Sequence, residues 1–80
     1  MNRQIRAWRK ILAPYTQRKP YAHLCHLAGY LKNCEAIGDL LPDPYIPTWR
    51  DTLRRLIPRA AEADQIALVT LYEYLGEVKQ

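Results

Sequence analysis

His23, Cys25, His26 and Cys34 fall within twelve residues and carry the side chains best suited to metal or thiol chemistry in this chain. On an unbroken helix, at about 100° per residue, His23, His26 and Cys34 would share one face. The spacing fits no standard zinc pattern, which needs close pairs such as C-x2-C with a distant partner pair. Packing at the edge of a core, with cysteine acting as a small hydrophobe, accounts for these residues better. No metal and no cofactor is therefore expected. Catalysis has equally little to build on. The chain contains no serine, and Cys25 and His26, as helical neighbours, point about 100° apart and make no dyad. No pair of carboxylates is placed for acid–base work. The expectation is a protein that is not an enzyme.

Charge is the stronger signal. The first thirty-four residues hold seven bases, Arg3, Arg6, Arg9, Lys10, Arg18, Lys19 and Lys32, and no acid; Glu35 is the first carboxylate. From Glu35 onward eight acids face five bases, so the two parts carry +7 and −3 around a net charge of +4. A surface of one sign attracts a polyanion or an acidic protein face. Solvated faces usually mix both signs, which weighs against a merely soluble helix. Arg3, Arg6, Arg9 and Lys10, followed by Arg18 and Lys19, suit phosphate contacts, each releasing counterions. Arg50 and Arg54, one helical turn apart, belong to a second cluster with Arg55 and Arg59. That cluster would extend the patch if its helix neighboured the first. Arginine outnumbers lysine here, and its planar fork suits phosphate and carboxylate alike.

Two partner classes follow from these residues. The narrowly favoured one is nucleic acid, gripped by phosphate contacts from a basic N-terminal helix, with Trp8 and the tyrosines as stacking platforms for a single strand. The other is an acidic surface of a larger protein, occupied by a small inhibitor or adaptor. Arg, Trp and Tyr are the residue types enriched at interface hot spots, and Tyr45, Ile46 and Trp49 would form an anchor beside a stiff proline-rich loop. Residues 21–41 offer a helix-turn-helix only poorly. Gly29 falls inside the first segment, and the segment Glu35–Leu41 carries two acids and no base, which suits a DNA groove badly.

Eighty residues suit one domain, residues 1–80, near the small end of what folds unaided. A hydrophobic fraction of 49% excludes wholesale disorder. Two cysteines are too few for a disulfide framework, so a reducing cytoplasmic location is the default. No stretch approaches the roughly 20 apolar residues of a membrane span, and no membrane partner is expected. An arginine-rich, acid-free N-terminus has features of a transit peptide, but the absence of serine counts against that.

The elements that must position these residues are helical. Six prolines divide the chain into helix-sized segments. Over 3–13, Ile5, Trp8 and Leu12 line one stripe, with Arg3, Arg6, Arg9 and Lys10 opposite. Over 21–32, Leu24, Leu27, Ala28 and Leu31 line another. Asn33 would either cap a short helix over 34–41, turning Ile37, Leu40 and Leu41 inward, or lie within a longer second helix. After the prolines at 42, 44 and 47, Thr48 is placed as the N-cap of a helix with Trp49, Leu53, Leu56 and Ile57 inside. Asp51 stands four residues before Arg55 as a supporting pair. The last helix, about 60–75, has Glu62 and Asp64 in its first turn, where the helix dipole favours them, and Gly76 as its C-cap. Its middle, Ile66–Tyr72, is apolar almost all round, as in a central helix or a contact between two copies. The expected fold is all-α, a small bundle of four or five short helices, with the C-terminal helix as the surface for a homodimer.

Overall fold

The computed structural model describes residues 1–79, Pro20 by its backbone alone. It is all-helical, with four α-helices: α1 (Asn2–Leu12), α2 (His23–Ile37), α3 (Ile46–Leu56) and α4 (Glu62–Glu77). Single 3-10 turns at Lys19–Tyr21 and Ile57–Arg59 lead into α2 and out of α3. Helix α1 packs chiefly on α2, α3 on α4, and the pairs α2–α3 and α4–α1 close the ring. The hydrophobic stripes meet in the middle. Ile5, Trp8 and Leu12 of α1, Leu24, Leu27, Leu31 and Cys34 of α2, Leu53 and Leu56 of α3, and Leu68, Leu71 and Leu75 of α4 are all buried. Trp8 lies against Tyr74 with ring centroids 5.6 Å apart, joining α1 to α4.

Helix α2 runs through Asn33 without a break. It stops at Gly38, whose φ of +92° only glycine adopts at no steric cost. There the amides of Gly38 and Asp39 both return to the Cys34 carbonyl, at 2.7 and 3.3 Å. This removes the separate helix over 34–41 and with it the turn that a helix-turn-helix would need. Leu40 still reaches the core, but Ile37 is exposed. One long helix also separates the cysteines. Cys25 and Cys34 are nine residues apart, about 13 Å along the axis, and Cys34 is buried while Cys25 is exposed.

The loop after α2 is anchored rather than loose. The Tyr30 hydroxyl donates to the Leu41 carbonyl, and burial, followed by the nearby Cys34 thiol, pushes the Tyr30 phenol well above its ordinary range. Asp43 accepts the Tyr45 amide at 2.8 Å, an Asx turn that launches α3. Thr48 therefore does not cap this helix. It starts at Ile46, because Pro47 within the first turn needs no hydrogen-bond partner for its nitrogen. Thr48 instead offers its carbonyl to the buried Thr52 hydroxyl, 3.0 Å away.

Helix α4 has no side-chain cap of its own, since Ala61 occupies its N-cap position. The buried Tyr15 supplies one from the α1–α2 connector. Its hydroxyl accepts the Ala61 amide at 3.0 Å and donates to Asp64 at 2.9 Å. At the other end α4 continues through Gly76 to Glu77, so Gly76 is not a cap. A Cβ there would sit 2.6 Å from one terminal nitrogen of Arg50 and 2.8 Å from its central carbon. Gly76 leaves room for that guanidinium. Helix α4 is also not surrounded: Ile66 is 81% exposed and Val69 is exposed beside it.

Candidate functional site

The antiparallel pair α1–α2 brings residues far apart in sequence onto one open groove of about 580 Å³. Arg6, Arg9 and Lys10 descend from α1 and Lys32 rises from α2, while Ala28 and Gly29 are the small residues of its wall. Nothing in the sequence pairs Lys32 with the first helix. The usable signal is spacing on α2, where Gly29, Lys32 and Glu35 recur every three residues and so lie along one side.

Glu35 organises the groove. Its carboxylate takes the Arg6 Nε at 3.0 Å and an Arg9 terminal nitrogen at 2.6 Å. Hydrogen bonds from Arg9 first, then Arg6, hold the Glu35 carboxyl below its ordinary range. Only Nε of Arg6 and one terminal nitrogen of Arg9 are used, and their other donors have no partner among the described residues. The guanidinium groups are thereby held in position with donors to spare. Lys10 and Lys32 make no ion pair among the described residues. Four bases against one carboxylate leave the groove electropositive.

The other expected contacts separate from it. Arg3 and Lys19 are exposed, and Arg18 lies 5.1 Å above the Tyr15 ring. Arg50 is committed inside the fold: it stacks 4.1 Å over Tyr72 and donates its Nε to the Tyr72 carbonyl at 3.1 Å. Arg54 is exposed on α3. Because α1 and α3 are not principal neighbours in the ring, the second basic cluster does not frame the first groove. Asp51 and Arg55 do pair, at 3.6 Å, but both are well exposed, and such a pair contributes little.

Of the three anchor candidates, Ile46 and Trp49 are buried, 3% and 2% exposed. They close the end of the core, as their apolar bulk requires, and do not present themselves to a partner. Tyr45 alone stands out, 53% exposed. It is stacked against Trp49 at 6.2 Å and meets the edge of His26 at 5.9 Å, while Tyr30 backs Trp49 at 4.8 Å. These rings belong to a second hollow, about 510 Å³, on the other side of α2. Gly29 and Lys32 line both hollows.

The histidines and cysteines do not converge. His23, Cys25 and His26 are exposed and Cys34 is in the core. His23 and Cys34, though aligned in angle, are about 16 Å apart along the helix. Among the described residues no three His, Cys, Asp or Glu side chains come together to hold a metal ion, and no helix is long and apolar enough to cross a membrane. The Cys25 thiol instead points at the connector, 3.3 Å from the Thr16 carbonyl.

No protein-family model matches the chain, and no curated protein or solved structure matches it either.

Proposed function

We propose that this chain is a small, non-enzymatic regulatory protein that docks on nucleic acid through the α1–α2 groove. The observation that carries the proposal is the convergence of Arg6, Arg9, Lys10 and Lys32 on one open groove with Glu35 as the carboxylate that orders two of them. Pre-placed guanidinium forks and flexible lysines together suit a backbone of phosphates. Arg3, Arg18 and Lys19 would extend the field beyond the groove.

A salt titration of binding to labelled oligonucleotides tests it. Lys10→Ala/Lys32→Ala is the cleanest variant, since neither lysine holds another residue in place. Log affinity should fall steeply with log salt for the wild type. The variant's slope should be shallower by roughly 1.4–1.8, about 0.7–0.9 for each phosphate left without its lysine. No binding at low salt, or an unchanged slope, would overturn the proposal.

Self-association through the last helix is the second reading, and a different surface favours it. Ile66 and Val69 join Ile57 around a shallow hollow on α4, the strip a homodimer through the last helix would use. Sedimentation of wild type beside Ile66→Lys discriminates. A concentration-dependent dimer lost in the variant supports self-association, and a monomer throughout removes it.

A further inference from the structure

Resting on the nucleic-acid proposal, we infer that the strand this protein prefers is single, with a base stacked on Tyr45 across α2 from the phosphates in the basic groove. Two features lead there. First, the aromatic hollow and the basic groove are two sides of one ridge, sharing Gly29 and Lys32. Second, that ridge is lowest where a strand would cross it. A Cβ on Gly29 would meet nothing within 4 Å, so packing does not demand glycine at a mid-helix position where alanine is the better helix former. A close approach by something outside the fold does use it.

Tyr45 is built as a platform. More than half of it is open, yet Trp49 and His26 brace it from behind and at the edge. A ring already held in place loses little conformational freedom when a base stacks on it. Stacking tolerates any base, because every base has a π-face. A duplex offers no such face, since its bases are stacked on one another and only their edges are reachable. Phosphates in the basic groove and a base on Tyr45 therefore select a single strand, by geometry rather than by sequence.

The test compares three labelled probes of equal length: a single strand, a duplex, and a single strand with abasic sites that keeps the phosphates and removes the bases. Wild type should bind the ordinary strand more tightly than the abasic one. Tyr45→Ala should lower affinity for the ordinary strand between about five- and 150-fold and leave affinity for the abasic strand unchanged. Gly29→Gln, a good helix former whose side chain projects into open space, should keep the fold by circular dichroism and weaken the ordinary strand selectively. Lys10→Ala/Lys32→Ala should weaken all probes alike. Equal wild-type affinity for ordinary and abasic strands, or an undiminished Tyr45→Ala, would overturn the stacking platform while leaving the basic groove standing. Failure to bind any probe would overturn both.

Discussion

The guanidinium of Arg50 occupies the space that a side chain at Gly76 would need, so the two positions should be thermodynamically coupled. A Cβ at residue 76 would lie 2.6, 2.8 and 3.1 Å from three atoms of that guanidinium. The whole plane must therefore move, off the Tyr72 ring at 4.1 Å and away from the Tyr72 carbonyl at 3.1 Å. A hydrogen bond from a charged donor contributes about 1.5–3 kcal/mol, and partial exposure of Arg50 brings that to the low end. The cation–π contact adds about 0.5–1 kcal/mol. Against this, alanine gains up to about 1 kcal/mol of helix propensity over glycine, less in the last turn of α4.

Gly76→Ala should thus destabilise the protein by about 1 kcal/mol, a fall of roughly 4–8 °C in Tm for a domain this size. In an Arg50→Ala background the same change should be neutral to stabilising. The coupling energy expected from the cycle is about 1–2 kcal/mol. Urea titration followed by tryptophan fluorescence measures it, provided the denaturant slope stays constant across the four proteins. Strict additivity, within about 0.3 kcal/mol, would refute the claim that Gly76 exists to admit Arg50.

Two further outcomes are expected. Tyr15→Phe removes the hydroxyl that takes the Ala61 amide and reaches Asp64; leaving the start of α4 without that partner should cost about 1–3 kcal/mol in urea unfolding, and a change under about 0.3 kcal/mol would show that water replaces the hydroxyl at no cost. Glu35→Gln tests the ion-paired carboxylate in two ways. The folded carboxyl titrates below its ordinary 4.5, so its stabilisation is present above the unfolded value and lost as pH falls through the folded one; the wild type should lose stability on acidification more steeply than the variant. At neutral pH the variant also removes the negative charge that competes with phosphate, so oligonucleotide affinity at low salt should rise. A fall would mean that Glu35 acts mainly by orienting Arg6 and Arg9.

What the sequence made legible depended on how locally each feature is determined. Helix α1 was plain because Ile5, Trp8 and Leu12 repeat at helical spacing opposite four bases, a pattern that needs no knowledge of the rest of the chain. The Asp51–Arg55 pair was equally local. The glycines were not legible, because one residue type serves three purposes. Gly38 ends α2 in a left-handed conformation, Gly76 admits a side chain from another helix, and Gly29 leaves open space where a Cβ would stand. Only the first of these is a local property, and its signal at Gly38 competed with an apolar pattern running on to Leu41. Similarly, the cap of α4 is a tyrosine 46 residues away, which no reading of residues 58–64 could supply.

The same distinction decides how the charge asymmetry bears on function. An acid-free stretch of thirty-four residues describes the chain and need not describe a surface, because folding can bring carboxylates from the later part onto the bases of the earlier one. Here it does so once: Glu35, the first acid in the sequence, crosses between helices to Arg6 and Arg9. Asp64, the other acid brought to this part, takes a hydroxyl rather than a base. Arg3, Lys10, Arg18, Lys19 and Lys32 have no carboxylate within 4 Å among the described residues. Segregation along the chain thus survives, reduced but not cancelled, as segregation in space. Of the two carboxylates in ion pairs among the described residues, Asp51 meets only a neighbour on its own helix, and Glu35 alone crosses to bases that line the groove, which still outnumber it.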